Sequence, residues 1–138
     1  MTIAQLWKNL RHRSHDCRAD AKFLRGRPID ASASAMPGVP DSVRDDALGL
    51  ICDSFEIPRR QMYCLRRDDA LLMIYDGING PRDFDLFQFE RLGFALEKYL
   101  CRVVSPREIV NGATVADIIQ LVAAGRLVSH AGDSEQMN

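Results

Sequence analysis

The side chains with the most chemical scope in this 138-residue sequence lie near its start, in the run His12-Arg13-Ser14-His15-Asp16-Cys17. Two imidazoles and a thiolate are zinc ligands, but a structural zinc site closes a tetrahedron with four. This run also sits among arginines, whose charge opposes a bound cation. His15 beside Cys17 can equally be drawn as a base and its nucleophile. Such a pair needs a third group to orient the base, and near neighbours on a basic arm supply none. The remaining histidine is His130, and no P-loop, Gly-x-Gly-x-x-Gly, His-Glu-x-x-His or Gly-x-Ser-x-Gly occurs. The expectation is no metal site and no enzyme. Ser42, after Asp41 and before a helical pattern, is a further candidate hydroxyl, and its ordinary role there is an N-cap. Ser54, in Asp53-Ser54-Phe55, ends a helical pattern and is a poorer one.

Composition sets the frame for these residues. With 46% apolar and 27% charged residues, the chain fits one globular domain with a flanking arm. A domain of this size buries about two thirds of its unfolded surface and needs no metal or disulfide to fold. Cys17, Cys52, Cys64 and Cys101 are far apart, form no Cys-x-x-Cys, and come without a secretory signal, so we expect reduced thiols in a cytoplasm. Cys52 and Cys101 read as core residues at helix ends. No apolar run is long enough to span a membrane. The formal charge of -1 conceals a split: residues 1–27 carry seven Lys/Arg against Asp16 and Asp20, while the remainder carries 11 basic and 17 acidic groups. That is a basic arm on an acidic body. The arm reads either as a solvated helix and linker or as a contact for nucleic acid or an anionic surface, with Trp7 and Phe23 as its aromatics.

The elements follow from periodicity. Ile3, Leu6, Trp7 and Leu10 make one stripe of a short N-terminal helix, with Lys8 and Arg11 opposite. Gly26 to Pro40 is rich in Pro, Gly, Ser and Ala and reads as a linker or irregular loop, placing a boundary at 40. Residues 41–128 form the domain and 129–138 a polar, frayed tail. The domain opens on a helix with Val43, Ala47, Leu50, Ile51 and Phe55 on one face, Ser42 and Asp45 as a capping box, and an end before Pro58. Residues 58–82 stay open between helix and a short β-ribbon with Cys101–Val104, because Met62-Tyr63-Cys64-Leu65 and Leu71 to Tyr75 are too short to decide. The turn formers Gly77 to Pro81 end that region.

A long helix follows from about Asp83 to Leu100. At 100° per residue, Leu86, Phe89, Leu92, Gly93, Ala95, Leu96, Tyr99 and Leu100 share one side, and Glu90, Arg91, Glu97 and Lys98 the other. Phe87 and Phe94 fall on the charged side. Ser105-Pro106-Arg107-Glu108 starts a short capped turn, and Thr114 to Asp117 caps a last helix with Val115, Ile118, Ile119 and Val122 inward and Gly125 as its stop.

The order of these pieces, with Phe94-Ala95-Leu96-Glu97-Lys98-Tyr99-Leu100 and Ala113-Thr114-Val115-Ala116-Asp117-Ile118-Ile119 as the best matches, resembles an acyl carrier protein over about residues 41–127. It is similar above all to short, uncharacterised bacterial proteins with acyl-carrier-like domains. The resemblance implies a mainly α fold: a small helical bundle with a long connection after its first helix, here preceded by an extra N-terminal helix. In acyl carriers an Asp-Ser-Leu motif at the start of the long helix bears 4'-phosphopantetheine. Aligned through Ala95-Leu96-Glu97, that motif falls on Asp85-Leu86-Phe87, where leucine replaces the hydroxyl.

The expected function is therefore a non-catalytic, acyl-carrier-like protein-interaction module without a cofactor, monomeric or weakly dimeric. Its partner-binding face would be Phe87, Glu90, Arg91, Phe94 and Lys98, two aromatics inside a charged rim. Two alternatives stand beside it: an active carrier modified at Ser42, and binding of nucleic acid or an anionic surface through the basic arm. Phe87 and Phe94 also have a second reading, in which the N-terminal helix covers them.

Overall fold

Four α-helices carry the core of this computed structural model, which describes residues 3, 20–79, 87–101, 104, 109 and 113–136, by backbone alone at 79 and from 126. The protein is mainly helical. Helix α1 (Asp41–Phe55) buries Val43, Ala47, Leu48, Ile51, Cys52 and Phe55, while Leu50 is half-buried at the edge of that face. The capping box expected at its start does not form. Pro40 holds the N-cap position, and its carbonyl accepts from the N–H groups of Val43 and Arg44 at 3.1 Å each. Ser42 thus lies inside the first turn, exposed, and Asp45 is engaged elsewhere. The helix ends at Glu56, which takes the left-handed conformation with φ 61°, and the N–H of Ile57 returns to Cys52 O at 2.9 Å.

Both undecided apolar runs prove helical. Met62 to Cys64 close a 3-10 turn (Arg59–Cys64), and Leu71 to Tyr75 open helix α2 (Leu71–Asn79). Arg102 and Val103 of the expected β-ribbon lie outside the described residues, and among those described there is no strand but an isolated antiparallel bridge, Ala70 to Thr114. It sets two helix starts side by side: Leu71 N–H bonds to Ala113 O and Val115 N–H to Asp69 O, each at 2.9 Å. Orphan amides at both N-termini gain partners that no local turn offers. Gly77, expected to break the chain, lies within α2. Its missing side chain makes room for Phe23, whose Cγ would stand 2.7 Å from a Cβ there.

Helix α3 (Phe87–Leu100) buries Gln88, Phe89, Leu92, Gly93, Leu96 and Leu100, with Ala95 and Tyr99 half-buried, which is the face the 100° periodicity predicts. Asp83, Asp85 and Leu86 lie outside the described residues, as do Ser105 to Glu108. Helix α4 (Val115–Gln136) starts on the expected reciprocal cap: Thr114 N–H bonds to Asp117 Oδ2 at 2.9 Å, and Asp117 N–H to Thr114 Oγ1 at 3.3 Å. Val115, Ile118, Ile119 and Val122 face inward. The helix does not stop at Gly125 or fray at Ser129 but continues to Gln136. Gly125 is a packing site, because the Leu100 side chain fills the space a Cβ would take. Helix α1 packs on both α3 and α4, and α3 on α4.

Residues 20–40 form a strap rather than a free linker. They carry two 3-10 turns, Lys22–Leu24 and Ala31–Ser34, with Leu24 only 1% exposed in the core. Gln61 clasps Ala21 through both backbone groups, at 2.7 and 3.3 Å. Asp30 N–H reaches Tyr63 O at 3.0 Å, and Arg67 N–H reaches Ala33 O at 3.1 Å. Arg27 donates to Asp69 at 2.7 Å and to Cys64 O at 3.2 Å, and Arg44 to Ala31 O at 2.7 Å. The expected boundary at 40 is therefore no gap in the packing. Pro, Gly and Ser forbid a long helix, but they leave backbone groups free to bond across a surface. Leu6, Trp7 and Leu10 lie outside the described residues, and Ile3 is helical and exposed.

Candidate functional site

The two faces of α3 differ sharply. Inward, Phe89 is fully buried and meets Phe55 edge-to-face at 5.3 Å and Tyr75 at 5.7 Å, so α1, α2 and α3 converge on one ring. Outward, Phe87 is 57% and Phe94 71% exposed, with Glu90 and Lys98 exposed on the same side. Positions 87, 90, 94 and 98 recur at helical spacing and form one stripe.

Arg91 flanks the stripe and is held in place. Its guanidinium lies 5.8 Å from the Phe87 ring centroid, donates to Asp53 O at 3.1 Å, and approaches Glu56 at 3.5 Å. The rim is thus braced against the C-terminal end of α1. Glu97, on the charged side by periodicity, turns to accept from Val104 N–H at 3.1 Å and leaves the rim. Tyr99 donates to Asp46 at 2.7 Å and ties the other flank of α3 to α1. Both cross-helix links join residues 38 or more positions apart, and no local spacing announces them.

Around Ser42 the polar groups belong to the fold. Arg44, buried on the neighbouring turn, donates to Asp45 at 2.8 Å and to Ala31 O, and lies 5.4 Å from the Tyr63 ring centroid. Tyr63 donates to Asp45 at 3.1 Å, and burial together with that bond pushes its phenol up. These contacts anchor the strap and leave Ser42 at the surface. His12, His15 and Cys17 lie outside the described residues. No group of three or more potential metal ligands occurs among the described residues, and no described helix is long and apolar enough to cross a membrane.

Cysteine placement corrects one expectation. Cys52 and Cys64 are buried, but Cys101, expected in the core, is exposed where α3 ends in a left-handed residue with φ 56°. Burial pushes the Cys52 thiol up to about 12 and also raises Cys64. At pH 8 the thiolate of Cys52 is then roughly one part in ten thousand. Iodoacetamide at pH 8 is expected to label Cys101 and spare Cys52 and Cys64 until denaturant is added, as peptide mass mapping would read. Labelling of native Cys52 at the rate of Cys101 contradicts this packing.

No family model, curated protein or solved structure matches the chain.

Proposed function

We propose that this chain is a non-catalytic, acyl-carrier-like protein-interaction module that carries no phosphopantetheine and acts through the outer face of α3. The observation that supports it most is the exposure of Phe87 and Phe94 on a helix whose opposite face is core. Two large rings beside Glu90, Arg91 and Lys98 have the anatomy of a contact: apolar anchors within a charged rim. Leu86, at the position where the sequence resemblance places the carrier serine, has no hydroxyl to accept a phosphodiester. In this reading the partner is a protein, the setting a bacterial cytoplasm with reduced thiols, and the chain a monomer or weak dimer.

A second reading is favoured by one observation. Ser42 is exposed in the first turn of α1 and spends no hydroxyl on capping, and a helix N-terminus suits a phosphate. The deciding test is intact mass after incubation with coenzyme A and a broad-specificity phosphopantetheinyl transferase, beside a true carrier. The expected result is no mass gain while the control is fully modified. A gain of one phosphopantetheine, abolished by Ser42→Ala, would overturn the proposal and make the chain an active carrier.

A further inference from the structure

The strap gathers cationic groups that are far apart in sequence. Asp20 to Ala33 run along residues 60–67, fastened by the Ala21–Gln61, Asp30–Tyr63 and Ala33–Arg67 hydrogen bonds. Lys22 and Arg25 on one side are thereby brought to the element that carries Arg59, Arg60, Arg66 and Arg67. Some of these cations are already matched: Arg60 pairs with Asp20 at 2.7 Å, Arg59 with Asp53 at 2.9 Å and Arg27 with Asp69 at 2.7 Å. Arg67 reaches Ala35 O at 3.4 Å. Lys22, Arg25 and Arg66 are exposed and make no side-chain hydrogen bond or ion pair among the described residues. The charge is segregated at the level of the whole chain. Residues 1–30 and 58–70 hold eleven basic and five acidic groups, and all other positions hold seven and fourteen.

Aliphatic side chains emerge through the same region. Ile29, 73% exposed, stands between Arg27 and the Asp30–Tyr63 bond. Leu72 and Met73, 42% and 43% exposed, lie on α2, the helix against which the Lys22–Leu24 turn packs. We infer that the strap, the Arg59–Cys64 turn with the loop after it, and the exposed side of α2 form a docking surface for an anionic phospholipid bilayer. Cations to meet headgroups and isolated aliphatic side chains to enter the acyl boundary are what such a surface offers. The Ile3, Leu6, Trp7, Leu10 stripe with Lys8 and Arg11 opposite has the same chemistry in sequence.

A nucleic acid is the less suitable ligand. Strand binding relies on aromatic platforms for stacked bases, and Phe23 is committed to the Gly77 site. Exposed Ile29, Leu72 and Met73 offer nothing to a phosphate backbone. This surface lies on the strap and α2, so it stands whether or not the outer face of α3 binds a protein.

The test is co-sedimentation of the full chain with phosphatidylcholine vesicles, with and without phosphatidylserine, at low and high salt. Binding is expected only with phosphatidylserine, weakening as salt rises. The triple variant Lys22→Glu, Arg25→Glu, Arg66→Glu should lose on the order of 100-fold in partitioning. Ile29→Asp, which alters no described hydrogen bond of a side chain, should also reduce binding, with the helical circular dichroism of both variants unchanged. Absence of binding at low salt, charge-reversed protein that binds as well as wild type, or tighter binding to a DNA or RNA oligonucleotide than to the vesicles would each overturn the proposal.

Discussion

Phe89→Ala is expected to lower the unfolding free energy by about 3–5 kcal/mol, while Phe94→Asp, five positions along the same helix, changes it by less than about 0.5 kcal/mol. The contrast follows from burial. Phe89 is fully enclosed and joins α1, α2 and α3 through its contacts with Phe55 and Tyr75. Truncation removes the transfer free energy of the ring, leaves a cavity, and ends two aromatic pairs contributing about 0.5–1.5 kcal/mol each. Phe94 leaves 71% of its surface in water, so a carboxylate there disturbs little. Denaturant titration reads both variants. The same Phe94→Asp protein, still folded, should lose a partner that wild type captures from extract. A Phe94→Asp chain that unfolds as readily as Phe89→Ala would mean that the ring is a core contact, which removes the interaction face.

Arg27→Ala should cost about 3 kcal/mol, at the low end for a broken buried pair because Arg27 keeps some access to water. Asp69 is the reason. Its side chain is 6% exposed against 19% for Arg27, and among the described residues its carboxylate accepts from Arg27 Nη1 at 2.7 Å and Arg66 N–H at 2.8 Å and from no other donor. Without the guanidinium, a nearly buried charge keeps one neutral donor. The strap also loses the bond from Arg27 to Cys64 O, so tryptic cleavage after Lys22 and Arg25 should accelerate together with the drop in stability. Arg27→Lys should recover only part of the loss, since the shorter lysine does not carry its nitrogen to the position of Nη1, the one atom that donates to both acceptors. Wild-type stability and unchanged cleavage in Arg27→Ala would show that the pair does not hold the strap.

Periodicity made some of this legible in advance. The inward rows of α1, α3 and α4 repeat at 3.6 residues, and Thr114 with Asp117 is a cap written in four consecutive positions, so both emerge from local spacing. Phe87 and Phe94 stand on the polar side of α3 for the same reason. What escaped depends on partners far along the chain. Leu71 to Tyr75 form a helix whose first amide, that of Leu71, bonds to Ala113 O, a partner no window of a few residues contains. Gly77 and Gly125 carry the same letter as a turn signal, yet each is a space filled by another element, Phe23 or Leu100. Ser42 looked like a cap because its type is right, but Pro40 begins the helix two positions earlier. Composition could not separate a free linker from a strap, because Pro and Gly forbid helix in either case. For the candidate site, the sequence supplied the stripe on α3, whereas the brace from Arg91 to Asp53 and Glu56 needed three dimensions.

One residue of the strap junction has a mechanical consequence. The N–H of Arg67 bonds to Ala33 O, and its carbonyl accepts from Ala116 N–H at 2.8 Å. A single amino acid thus stands in series between the strap and the first turn of α4, holding one with its donor and the other with its acceptor. A force that draws the strap outward at Ala33 passes through the Arg67 backbone to α4, a helix on which α1 and α3 both rest. Residue 67 is thus one of the points, with Asp69 held by Arg27 and Ala31 held by Arg44, at which a load on the strap is transmitted to the scaffold.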